Sequence, residues 1–222
     1  ALNQFDLANN WMNAKDHGLS LKQQENLNSL YQAHYLQNAS SADTLWQRWQ
    51  ELGGKASSHQ QANAFAQRAK ALGMQNSASV ALIEAVESSY QKPYVVALSL
   101  LVHNDNALFT RITALLAANS ADADLLHTLG MWAKACGKLP NAISYWQRAI
   151  AQGAGVESWN QLSQAYASEQ QFEQAFNAAN NARRVQNNEA PLAMTGVSLQ
   201  EKIAAEAVSE QRNEHGIPWL PH

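Results

Sequence analysis

The sequence predicts an all-α fold, a right-handed α-solenoid of helix-turn-helix repeats with a C-terminal capping helix. Three observations point there. The chain includes 39 Ala and 22 Gln, both good helix formers. Val, Ile and Thr are scarce, and with 10 Gly and 5 Pro there are too few β-branched and turn residues for a sandwich or a barrel. The third is a pattern of large and small side chains that returns at nearly regular intervals along the chain.

Taken in chain order, Leu7, Trp11 and Ala14 read as the second helix of a truncated first repeat. Gly18 has the place of a helix stop, and Ser20 with Gln23 has the spacing of a capping box. The helix so started carries Ala33, and Ala42, Trp46 and Trp49 form its partner. Ser58 with Gln61 opens the next helix, bearing Phe65, Ala66 and Ala69. Gly73 closes that helix, and Ala78, Leu82 and Ala85 follow. A degenerate unit spans about 92–118, with a short apolar stretch from Pro93 to Val102 and then Leu108, Ile112 and Leu115. The clearest unit is Leu126, Leu129, Gly130 and Ala133, a stop at Gly137, Pro140 in a first helical turn, then Ala142, Ile143, Trp146, Ala149 and Ile150. One repeat later come Trp159, Leu162, Ser163 and Tyr166, then Phe172, Ala175, Phe176, Ala179 and Ala182.

Large residues at i, i+3 and i+7 define one face of a helix, and small residues let a second helix cross it closely. This arrangement is the tetratricopeptide (TPR) pattern, whose period is about 34 residues. Residues 1–186 are therefore expected to form an array of about five repeats. Residues 187–197, with Pro191 and Gly196, read as a linker. Residues 198–213 read as a final amphipathic helix started by Ser198, and 214–222 as a tail that includes Trp219. Trp46, Trp49, Trp132, Trp146 and Trp159 are expected to pack between helices, although Trp132 lies off the main apolar stripe.

Fifteen Lys and Arg against 18 Asp and Glu exclude a surface built to neutralise nucleic-acid phosphates. The single Cys136 permits no intrachain disulfide and, with no Cys or His near it in sequence, reads as an inert thiol. The longest apolar stretch, Val95 to Val102, is far shorter than the ~20 residues of a membrane span. The first residues lack the pattern of a signal peptide, so the chain is expected to be soluble, a processed or excised portion of its parent. Gly53-Gly54-Lys55 and Gly137-Lys138 lack the remainder of a phosphate loop, and the seven His never fall four apart on one helix. No convergent acid, base, nucleophile or metal set emerges, so no enzyme and no metal site are expected.

The first helices of stacked pairs line a concave surface where outward residues are freed from packing. Those positions are Gln60, Asn63, Gln67 and Lys70 in one repeat, and Asp124, His127, Met131 and Lys134 in the next good one. The last repeat supplies Glu157, Asn160 and Gln164, with Ala167 beside them. Amides both donate and accept, so this lining suits the backbone of a bound protein or peptide segment. It lacks the Lys and Arg cluster that would clamp an acidic tail. His127 and Met131 lie one turn apart on this lining.

The order Trp46-x-x-Trp49, Gln60 to Leu72, Ala78 to Val86, the apolar Tyr94 to Val102, Asp105 to Leu116, then Leu125-Leu126-x-x-Leu129-Gly130 to Trp146-Gln147-Arg148-Ala149, resembles the C-terminal half of HemY-type TPR proteins. The likeness covers about Ser20 to Asn188. It implies the soluble part of a Gram-negative inner-membrane protein anchored by two N-terminal helices, its repeats on the cytoplasmic side, tied to a late step of protohaem formation. Haem-biosynthesis enzymes would be the implied partners, and a haem- or porphyrin-binding module with His127 and Met131 facing the ligand would be the alternative that the resemblance suggests. The family offers no catalytic residues to transfer. An assembly factor for cytochromes or envelope components would share this fold with another partner.

Overall fold

The computed structural model describes Gly18, residues 20–56 and residues 58–193. The expected elements at Leu7, Trp11 and Ala14, over 198–213 and around Trp219 lie outside the described residues. Among the described residues the chain is helical, with ten α-helices, one 3-10 turn and no strand. They are α1 (Leu21–Gln37), α2 (Ala42–Glu51), α3 (His59–Ala71), α4 (Gln75–Ser88), α5 (Lys92–Leu98), α6 (Asn106–Ala114), α7 (Ala123–Ala135), α8 (Leu139–Ala151), α9 (Val156–Ser168) and α10 (Phe172–Gln186). The chain divides into two compact units, residues 1–154 and 155–222. The boundary falls inside the stretch read from sequence as one array.

Short polar side chains start several of these helices. Ser20 caps α1 in a reciprocal box with Gln23, and Ser41 and Ser58 accept from the Thr44 and Gln61 backbone N–H. Asp105 and Asp122 each accept from two N–H groups at the starts of α6 and α7. These bonds satisfy donors that a helix cannot satisfy itself. Several ends share one geometry. At Gly73, Gly137 and Gln170 a left-handed residue follows the helix, and the next N–H reaches back to the carbonyls of Ala69, Ala133 and Tyr166 at 2.8–2.9 Å. From Gly73 to Gly137 is two steps of the sequence repeat, and from Gly137 to Gln170 is one. At Gln170 a non-glycine residue holds φ 60°.

In the first unit, α1 packs on α3, α3 on α5 and α5 on α7, while α4 contacts α5 and α6. Trp49 and Phe65 stack with ring centroids 4.1 Å apart between α2 and α3. α7 and α8 form a close hairpin in which Trp146 lies flat on the backbone at Gly130, both residues buried. Trp132 is fully buried as well, and its indole N–H donates to the Leu98 carbonyl at 3.1 Å. Lying off the apolar stripe therefore did not place it outside the core. Trp46 departs the other way: it is 36% exposed, because Leu45 and Trp49 carry the buried face of α2.

In the second unit, α9 and α10 pack against each other across a short turn, with Ser163 Oγ donating to the Ala175 carbonyl at 2.8 Å. Trp159, Leu162, Tyr166, Ala175 and Ala182 are buried, as the register predicts. Phe172 and Phe176 are each 70% exposed.

Candidate functional site

A pocket of about 490 Å³ opens between α1 and α3. Its apolar part is Leu27, Leu30, Ala33 and Ala64, and its polar part is Tyr31, His34, Gln37, Gln60, Asn63 and Gln67. Helical spacing explains the set: Leu27, Leu30, Tyr31 and His34 recur at i, i+3, i+4 and i+7 on α1, and Gln60, Asn63, Ala64 and Gln67 do the same on α3. Leu30, at 42% exposed, is the large apolar side chain of the pocket most open to water.

The two helices are held together by side chains just outside the pocket. Ser29 Oγ donates to Gln60 Oε1 at 2.9 Å and also bonds Ser58, and Gln61 donates to Gln32. At the far end Arg68 Nε donates to the Ala39 carbonyl at 2.7 Å. Gln60 thus serves the α1–α3 contact as well as the pocket. Asn63 is half-buried, and its Oδ1 is buried with no hydrogen-bond partner. A buried carbonyl oxygen in that state is an acceptor whose desolvation is uncompensated until a donor reaches it. None of the residues lining the pocket carries a formal charge when His34 is neutral. A second, more polar depression of about 810 Å³ lies beside it, lined by Lys22, Gln23, Glu25, Asn26, Asn28, Ser29, Ser58 and Gln60.

Of the residues expected on the groove, the structure brings Gln60, Asn63 and Gln67 together in this pocket, while Lys70 is exposed on α3 outside it. Asp124, His127, Met131 and Lys134 share a face of α7. Asp124 pairs with Lys92 at 3.6 Å, and the Lys134 ammonium sits 5.9 Å from the Trp146 ring centroid. His127 and Met131 are half-buried. Glu157, Asn160 and Gln164 lie on α9 in the second unit, where Glu157 accepts from Gln161 at 2.9 Å. The α1 half of the pocket escaped the sequence reading. The signal was there in the Leu27 to His34 spacing, but α1 is rich in Gln and Asn and gives only a faint apolar stripe.

Other chemistry is sparse. Tyr90 sits near Asp122 and Asp124, and burial, reinforced by the Asp122 charge, pushes its phenol well above the usual tyrosine range. The Tyr35 hydroxyl donates to Glu51 at 2.7 Å, a bond that holds its phenol above the usual tyrosine range as well. Both phenols stay neutral hydrogen-bonding groups at physiological pH. Among the described residues no group of three or more His, Cys, Asp or Glu is placed to hold a metal ion, and no helix is long and apolar enough to cross a membrane. The chain matches no family model, no curated protein and no solved structure.

Proposed function

We propose that this chain is a non-catalytic protein-interaction scaffold, a right-handed TPR-type solenoid with a C-terminal capping helix, which captures an uncharged, extended segment of a partner protein between α1 and α3. The pocket carries this reading. Repeat register alone assigns Gln60, Asn63 and Gln67 to a binding surface, and they line a concavity whose size lies in the range of ligand sites. An apolar floor beside an unpartnered Asn63 carbonyl suits a peptide that inserts one apolar side chain and donates a backbone N–H. The solenoid part is supported by the row α1, α3, α5, α7, in which first helices of successive pairs pack on one another. The matching helix ends at Gly73, Gly137 and Gln170, spaced by whole repeats, support it too.

The resemblance to HemY-type sequences extends the proposal to a protein of haem biosynthesis as partner, with the parent anchored in a bacterial inner membrane. That extension rests on the sequence pattern.

The test is selection of displayed random 12-residue peptides on the full chain, followed by affinity measurement on an Asn63→Ala, Gln67→Ala variant of unchanged helicity. Selected peptides are expected to share an apolar residue and to bind the variant about tenfold more weakly, equivalent to ~1.4 kcal/mol. Recovery of no peptide tighter than about 100 μM, or equal binding to both proteins, would overturn the reading.

A further inference from the structure

Helix register accounts for the polar depression beside the pocket. Bonds between Ser29 and Ser58, Gln32 and Gln61, and Ala39 and Arg68 all join positions 29 apart in sequence. The two helices therefore run parallel, and His59, the first residue of α3, stands level with Leu30. Leu21 to Ser29 project beyond it as a ledge ~12 Å long. The depression of about 810 Å³ lies over this ledge, with Ser58 and Gln60 closing it from the α3 side.

Ledge and pocket are continuous. Lys22, Asn26, Leu30, Ala33 and Gln37 recur three or four residues apart on one face of α1, the first two lining the depression and the last three the pocket. That stripe spans ~22 Å, the length of six or seven residues of extended chain. Gln60 lines both hollows. The buried Ser29 donates to its Oε1 at 2.9 Å, which leaves the Nε2 hydrogens of Gln60 without a partner among the described residues, at the junction.

The lining decides what the ledge can hold. Its amides are Gln23, Asn26, Asn28 and Gln60, and Asn26 and Asn28 are exposed with no side-chain hydrogen bond among the described residues. Its charges, Lys22 and Glu25, lie one turn apart and are opposite in sign. A charged side chain entering there meets attraction from one and repulsion from the other, so it gives up hydration without a net gain. A neutral amide or hydroxyl both donates and accepts, and so matches Asn26, Asn28 and Gln60 whichever way it is turned.

We propose that the ledge is a second subsite of the same groove, which takes an Asn, Gln, Ser or Thr side chain of the partner segment. Asn26 and Ala33, one in each hollow, are ~10 Å apart along α1, so that side chain falls about three residues from the apolar one. The proposal rests on peptide capture at the pocket and adds a second feature by which the partner is recognised.

Random 12-residue peptides displayed and selected on the full chain test it. They are expected to carry an amide or hydroxyl residue two to four positions from the shared apolar residue, enriched at least about threefold over the unselected library. The tightest peptide is then measured on an Asn26→Ala, Asn28→Ala variant, in which both changes favour the helix. Binding should weaken about fivefold, the worth of one net hydrogen bond. The same peptide with Ala at its amide or hydroxyl position should bind the two proteins within about twofold of each other. Equal affinity of the unaltered peptide for both proteins would overturn the proposal. So would selection of Asp, Glu, Lys or Arg at those positions, which would give the ledge to Lys22 or Glu25. Peptides that lose affinity with Asn63→Ala and Gln67→Ala, yet not with Asn26→Ala and Asn28→Ala, would keep the pocket and refute the ledge. The reverse pattern would keep the ledge and refute the pocket.

Discussion

Gly130 faces Trp146 so closely that a methyl group added there would come within 2.6 Å of the indole Cδ1 and Cε2. Trp146 is fully buried, and a rigid indole cannot fold away as a flexible side chain would. In an open helix interior, Gly→Ala gains about 1 kcal/mol. Here the gain is outweighed by overpacking, which typically costs ~1–3 kcal/mol and more where nothing can yield. Gly130→Ala is therefore expected to destabilise the first unit by about 2 kcal/mol in urea denaturation. In a Trp146→Leu background the same change should become neutral or stabilising, because the clash partner has gone. A loss of equal size in both backgrounds would show that Gly130 is needed for some reason other than the indole. This pair was legible in sequence because a small residue at one slot and a Trp at its partner encode a close crossing directly. Trp132 was harder to place, since its position depends on a carbonyl from α5, a helix contacted only through the fold.

α5 shows how an element with weak local credentials persists. It has seven residues, Pro93 in its first turn and no side-chain cap, and helices of that length do not form alone in water. Its neighbours supply what it lacks. The Tyr94 hydroxyl bonds both the N–H and the carbonyl of Ala56 at 3.0 Å. From α7, Thr128 Oγ1 donates to the Val95 carbonyl at 3.0 Å and Trp132 Nε1 to the Leu98 carbonyl. Those are among the last four carbonyls of the helix, the groups that intrahelical bonds leave unpaired. Thr128→Val keeps the shape and removes the donor, stranding a buried acceptor at a cost of about 1–3 kcal/mol. Hydrogen exchange should show faster opening across residues 94–101 with α9 and α10 unaffected; unchanged protection there would mean that packing alone holds α5. The sequence marked this unit as degenerate but could not reveal its compensation, because the donors lie 33 and 34 positions downstream of the carbonyls they serve. At Gln170 the same limit applies. The turn keeps the geometry found at Gly137 without the glycine that signalled it.

At the scale of the whole molecule, periodicity located the helices and three of the pocket residues. It left unmarked the division at residues 154 and 155, and also the α1 wall of the pocket. Repeat register reports which side chains share a face. The depth of the concavity depends on how far α1 stands from α3, which Ser29, Gln32, Ser58, Gln60, Gln61 and Arg68 set through bonds between positions distant in sequence. The charge distribution makes a further prediction about how the molecule meets its partner. Its net charge is −3, its Asn and Gln outnumber all its charged side chains, and the pocket lining holds no Lys, Arg, Asp or Glu. Salt screens attraction between charges and leaves apolar burial and amide hydrogen bonds nearly untouched. The affinity of a pocket-binding peptide should therefore change by less than about twofold between ~0.05 M and ~0.5 M NaCl, measured by fluorescence anisotropy at pH 7. A partner drawn in by Lys22, Glu25 or Lys70 around the pocket would instead weaken about tenfold or more over that range, since the Debye length falls from roughly 14 Å to roughly 4 Å. Strong salt dependence would shift recognition from the amide-lined pocket to the charged rim, and alanine substitution of those three residues would then show which of them carries it.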